Sequence, residues 1–165
     1  MTTPTLTTND AFSPDSRVWV YVSSRPLTAD ESAFVQHNLD AFCAQWTAHN
    51  HALKARGEVF EGQLLLLMVD ETQAGASGCS IDKSVHFLEA LGQEIGADFF
   101  ERMRFGWVDS AGHFQLNAKP EFAQLVQSGQ ITPDTLVADT LVQTKRQLME
   151  KWLVPFGKSW HKRLV

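Results

Sequence analysis

The chain has 165 residues, 44% of them hydrophobic, with five Trp and a net charge of −5. That suffices for one domain with a real core, falls short of two, and argues against general nucleic-acid binding. No apolar run approaches the ~20 residues of a membrane helix, the longest being Leu64 to Val69. Residues 1–16, MTTPTLTTNDAFSPDS, have little to bury and neither a basic start nor an apolar h-region. They read as a disordered tail rather than a signal peptide. RVWVYVS, from Arg17, has the β-branched and aromatic pattern of a strand. Thr28 with Glu31 three residues on forms a capping box. Phe34, Val35, Leu39, Phe42, Cys43 and Trp46 then make a helical stripe, predicting a helix to about His49.

KARGEVF and QLLLLMVDE, separated by Glu61-Gly62, read as a β-hairpin whose second strand is central. The loop ETQAGASGCS leads to a helix from Ile81 to about Ile95, with Ser80 as its N-cap and Gly96 as its stop. MRFGWVD and HFQLNA flank Ser110-Ala111-Gly112 as a second hairpin. PEFAQLVQSG reads as a helix opened by Pro120 and stopped by Gly129. TLVADTLVQ reads as a further strand, and the chain from Lys145 is partly helical until Pro155. The order strand, helix, strand, strand, helix, strand predicts an α+β fold of the ferredoxin-like split βαβ kind. In it an antiparallel sheet carries two helices on one face, over residues 17–109, with hairpin and helix additions over residues 110–165.

Two phrases of this chain look like parts of a nucleotide-hydrolysing enzyme. LLLLMVDE resembles a Walker B strand, and GASGCSIDKS behind it a Walker A loop. A P-loop needs G-x-x-x-x-G-K-[ST], so that glycine amides wrap the phosphates. Here Asp82 precedes Lys83-Ser84, and Ser77 stands where the first glycine belongs. A carboxylate facing phosphate has the wrong sign. The two phrases also come in the wrong order, within one strand-loop-helix corner.

VWVY…RPLT…E, AQWTAH, LMVDETQAGASGCSIDKSV and the final SWHKR together resemble a family of short bacterial cytosolic proteins often labelled "ABC transporter ATPase". The resemblance spans nearly all of residues 17–165, is most specific at GASGCSIDKS, and implies no substrate. A narrower likeness covers residues 104–138. RFGWVDSAGHF followed by EFAQLVQSGQITPDTLV is similar to GYF-like modules, which implies binding of proline-rich peptides through aromatic side chains.

The candidate site is the 70–84 corner. Amides at the helix start, small residues including Ser77 and Gly78, the hydroxyl of Ser80, and Lys83 would together hold a phosphate, carboxylate or sulfate. Asp82 suits the helix dipole, and Asp70 and Glu71 would form an acidic wall. Cys79 beside the helix start is the candidate nucleophile of an alternative reading, acyl-transfer or thiol chemistry. Its base would be His49, His51, His86 or His161, and spacing chooses none of them. Cys43 belongs to an apolar stripe and reads as core.

His49-Asn50-His51 lacks the frame of a metal site, so no metal and no cofactor are expected. Two cysteines point to a reducing compartment, hence the cytoplasm. Residues 145–165 carry six Lys/Arg against Glu150, and residues 1–144 the other eight basic and eighteen acidic groups. The basic end is expected to lie against the acidic body. The expected partners are a small anionic ligand or a protein, a second copy of the chain included, with no nucleic acid and no membrane. A peptide-binding adaptor working through residues 104–138 is the remaining alternative.

Overall fold

A run such as LLLLMVD, with no polar alternation, makes a strand only where both of its faces are covered. That is its situation in the computed structural model, which describes residues 2–165. In chain order the elements are β1 (Arg17–Val22), α1 (Ala29–Gln45), the short strands β2 (Thr47–Ala48) and β3 (His51–Ala52), β4 (Lys54–Phe60), β5 (Leu64–Asp70) and α2 (Gly78–Ile95). After these come β6 (Arg104–Val108), β7 (Phe114–Ala118), α3 (Lys119–Gln127), β8 (Leu136–Ala138), α4 (Lys145–Lys151) and β9 (Leu153–Pro155). The chain is an α+β protein. No helix among the described residues is long and apolar enough to cross a membrane.

β5 is buried along its whole length between two antiparallel neighbours, in the order β1-β5-β4. Leu65, Leu67 and Val69 share a core with Val35, Leu39 and Cys43 of α1 and Leu88 and Leu91 of α2. Leu64, Leu66 and Met68 face the other way, onto Phe114 and Leu116 of β7, in a second sheet ordered β7-β6-β8-β9, and onto Trp152 at the end of α4. That sheet buries its outer face, Phe105, Trp107 and Val137, under Phe122 of α3 and Phe156. The result is four layers: two helices, a three-stranded sheet, a four-stranded sheet, then α3 with the C-terminal 3-10 turns. Gly106 lets the two sheet faces close. A side chain there would be driven into the ring of Phe114, which packs edge-on against Phe60 of the first sheet, with centroids 5.2 Å apart.

The capping box read at Thr28 is present, with Thr28 Oγ1 accepting from Glu31 N and Glu31 Oε1 accepting from Thr28 N. Arg25 grips the same Glu31 with two nitrogens and also donates to the Ile95 carbonyl, so the start of α1 is tied to the end of α2. α1 stops earlier than the stripe suggests. Trp46 is extended and buried, its Nε1 donating to the Ser80 carbonyl at 2.8 Å. His49 and Asn50 then take positive φ, 50° and 65°, as the two-residue turn joining β2 to β3.

Three expectations are corrected by tertiary pairing. Strands β1, β5 and β4 with α1 do form a split βαβ, but the fourth ferredoxin-like strand does not join them. MRFGWVD supplies β6 of the second sheet, and among the described residues the outer edge of β1 carries only single bridges, Arg17 to Thr144 and Val22 to Phe100. The division at residue 109 therefore falls inside the β6–β7 hairpin, and the change of sheet comes before Arg104.

Residues 2–16 are not a disordered tail. Leu6 and Phe12 are buried, and Glu58 accepts from Thr5 N and Leu6 N. The buried ammonium of Lys145 donates to the carbonyls of Asn9 and Phe12 at 2.6 and 2.8 Å. Of TLVADTLVQ only Leu136–Ala138 is a strand. Asp139 turns the chain by accepting from Leu141 N, which leaves Leu141 outside the sheet.

Candidate functional site

The 70–84 corner is closed by its own side chains. α2 begins one turn before Ile81, because Ser77 rather than Ser80 is the N-cap. Ser77 Oγ accepts from Ser80 N at 3.1 Å, and Ser80 Oγ accepts from Ser77 N at 2.7 Å. S-x-x-S thus acts as a reciprocal capping box, with Ser standing where Glu is usual. Ser80 is buried, while Gly78 and Cys79, the two residues before it, lie at the exposed start of the helix.

Asp82 and Lys83 are exposed and lie beyond the first turn. Lys83 is therefore not among the loop amides that were to hold an anion. One of those amides already has a carboxylate: Glu71 Oε2 accepts from Ala76 N at 2.9 Å, and a side chain at Gly75 would press on the same oxygen. Glu71 Oε1 lies 3.8 Å from Arg17 Nε.

Asp70 is buried and spoken for. Its carboxylate accepts from Ser13 N, Thr72 N and Thr72 Oγ1, with Lys54 Nζ at 3.5 Å. The Ser13 amide, followed by the Thr72 groups and the Lys54 charge, lowers its pKa to about 2 against the opposing effect of burial. Its work is to hold the N-terminal segment, not to wall a site.

Cys79 is exposed, and among the described residues no hydrogen bond joins it to an imidazole. His161 is not brought to the corner. It is fully buried in the outer core, stacked on Trp160 at 3.8 Å and edge-on to Phe105. Its Nδ1 meets Ser159 Oγ, its Nε2 has no partner, and burial lowers its pKa to about 4. Cys43, as read, is core, its thiol pushed up to about 12 chiefly by burial and further by Asp40. Among the described residues no cluster of three His, Cys, Asp or Glu is arranged to hold a metal ion.

A concave, largely apolar feature lies elsewhere on the molecule. A groove of about 470 Å³ runs between the outer edge of β1, the 99–104 connection between the sheets, the 140–141 turn and the C-terminal residues Trp160 and Leu164. Two apolar side chains on it are exposed, Met103 at 51% and Leu141 at 65%. Trp160 is held rigidly by its His161 stack and by Nε1 donating to Asp139 at 3.1 Å. Arg104 closes one end, its guanidinium donating to Ser23 O and Gln63 Oε1.

Sequence reasoning missed this groove. Met103 and Leu141 each fell inside a stretch read as a strand, where an apolar residue needs no further explanation. The residues 104–138 of the GYF-like comparison contribute only Arg104 to the lining. No family model, curated protein or solved structure matches the chain.

Proposed function

We propose that the protein is a binding domain whose ligand is a segment of a partner protein, held in the groove between β1 and the 99–104 and 140–141 connections. One observation carries this reading. Of the six large apolar side chains exposed among the described residues, Met103 and Leu141 line the same groove. An apolar groove of several hundred Å³ with a fixed aromatic wall gains affinity by removing surface from water. Covering two such side chains offers roughly 2–5 kcal/mol, a large part of the roughly 8 kcal/mol of a micromolar complex, with the rest left to backbone and further side-chain contacts.

The alternatives find less support. An anion at the 70–84 corner would share it with the Glu71 carboxylate, which already holds Ala76 N, and among the described residues no imidazole is hydrogen-bonded to Cys79.

The test is selection of decapeptides from a random phage-displayed library on the intact protein. Enriched peptides are expected to bind with micromolar Kd, and Leu141→Asp and Met103→Asp to weaken them at least tenfold with unchanged Tm. Equal affinity for wild type and both variants rejects the groove.

A further inference from the structure

The direction of the β1 backbone gives the ligand a form. Ser23 N donates to Gln63 O, toward β5, at 2.8 Å. Val18 N donates the opposite way, to Gln143 O at 2.9 Å, and Val22 O accepts from Glu101 N at 3.2 Å on that same outer side. Strand residues alternate, so the even positions of β1 direct their amide and carbonyl away from the sheet. Val20 lies midway between Val18 and Val22 and on the groove. Among the described residues nothing is hydrogen-bonded to its outward N–H and C=O.

The other edge of the same sheet is treated differently. Gln36 of α1 blocks β4, its Nε2 donating to Gly57 O at 3.0 Å and its Oε1 accepting from Val59 N at 2.8 Å. One edge is plugged by an amide side chain, and the other is left open above an apolar groove.

We infer that the partner segment binds as an added β-strand, one of its residues exchanging both hydrogen bonds with Val20; this rests on the groove being the binding site. The opening is short. From Val18 to Val22 the edge spans four residue steps, about 13 Å. Beyond each end the chain's own Gln143–Thr144 and Phe100–Glu101 are in place. Three or four residues fit before the ligand must lift away, which disfavours a second copy of β1 as occupant.

Charge selects further. Arg102 is exposed and in no ion pair among the described residues, while Glu101 turns its carboxylate back onto the amides of Arg102 and Met103. The segment is therefore short and extended, with an apolar side chain for Met103 and Leu141 and a carboxylate for Arg102.

The probe is a peptide selected on the intact protein from the decapeptide library, examined by amide hydrogen exchange and by single N-methylation along its length. In the free protein the Val20 amide exchanges at least tenfold faster than that of Val18, and peptide slows it at least tenfold. One internal N-methylation costs tenfold or more in Kd, and Arg102→Glu costs at least fivefold. A peptide lost on Leu141→Asp that leaves Val20 exchange unchanged and tolerates every N-methylation overturns strand addition while the groove stands. A library yielding nothing that distinguishes wild type from Leu141→Asp overturns both. Protection of Val20 that rises with protein concentration alone assigns the edge to a second copy and overturns the proposal.

Discussion

Gly78 and Gly92 stand in one helix and have opposite tolerances. A Cβ on Gly78 meets nothing within 4 Å, whereas one on Gly92 would be driven into the backbone carbonyl of Ala97. That carbonyl belongs to the turn in which Ala97 N and Gly96 N both bond to Gly92 O, so it cannot swing aside. Gly78→Ala is expected to be neutral or to stabilise by up to about 1 kcal/mol. Gly92→Ala is expected to cost about 2 kcal/mol and lower Tm by roughly 5 °C, both read by thermal melts.

Two buried ionisable groups, His161 and Asp70, make stability pH-dependent across the acid range. His161 titrates near pH 4 in the fold, below the ~6.5 of an unfolded chain, so the unfolded state takes up its proton first. Its contribution is present above about pH 6.5 and is lost as pH falls to 4, by at most about 3 kcal/mol. Asp70, held at about 2, extends the loss from roughly pH 4 downward. Urea midpoints should fall steadily from pH 7 to pH 3, and His161→Phe should flatten the upper part of that slope. A wild-type midpoint constant from pH 7 to 4 contradicts the burial argument.

Among elements, Gln36 of α1 is the residue whose half-buried position hides its task. Gln36→Ala strips Gly57 O and Val59 N of their side-chain partner, with an expected loss of about 1–2 kcal/mol in urea denaturation. The uncovered edge should also associate, which sedimentation at rising concentration would detect. No measurable change in either would mean that water serves these groups as well.

What the sequence disclosed about elements was whatever depends on neighbours three or four residues away. The Thr28 box, the hairpin turns at Glu61-Gly62 and Gly112, Pro120 opening α3 and the buried run of β5 are all of that kind. The start of α2 was misread by one turn because Ser77 and Ser80 offer the same capping chemistry, and only their reciprocal geometry ranks them. The sheet that receives MRFGWVD is not written locally. Its alternation fits either sheet, and the pairing of β6 with β7 and β8 decides it. The candidate site fared worse than the fold, since the groove is assembled from four separated segments, each ordinary by itself.

At the scale of the whole molecule, Leu64, Leu66 and Met68 form one core with Phe114, Leu116 and Trp152, so neither sheet has a complete interior without the other. A single urea transition, coincident by near- and far-UV circular dichroism, is expected. The N-terminal segment belongs to that unit. Removing residues 2–15 uncovers the places of Leu6 and Phe12 and leaves the Lys145 ammonium buried without its carbonyls. A loss of about 4 kcal/mol or more is expected, and Lys145→Met should recover part of it in the truncated chain. Unchanged stability on truncation would place the segment outside the cooperative unit. The basic C-terminal end does lie against the rest of the chain in part: Lys145 caps the N-terminal turn, and Arg146 reaches Asp15 at 3.2 Å.

The Lys145 contact has a consequence for how the protein is made. The residues it holds, Asn9 and Phe12, are 136 and 133 positions upstream. At ribosomal speeds of about 5–20 residues per second, this segment waits on the order of ten seconds for its anchor. Throughout that interval Leu6 and Phe12 have no finished surface to rest on, so their burial is among the last steps of folding rather than the first.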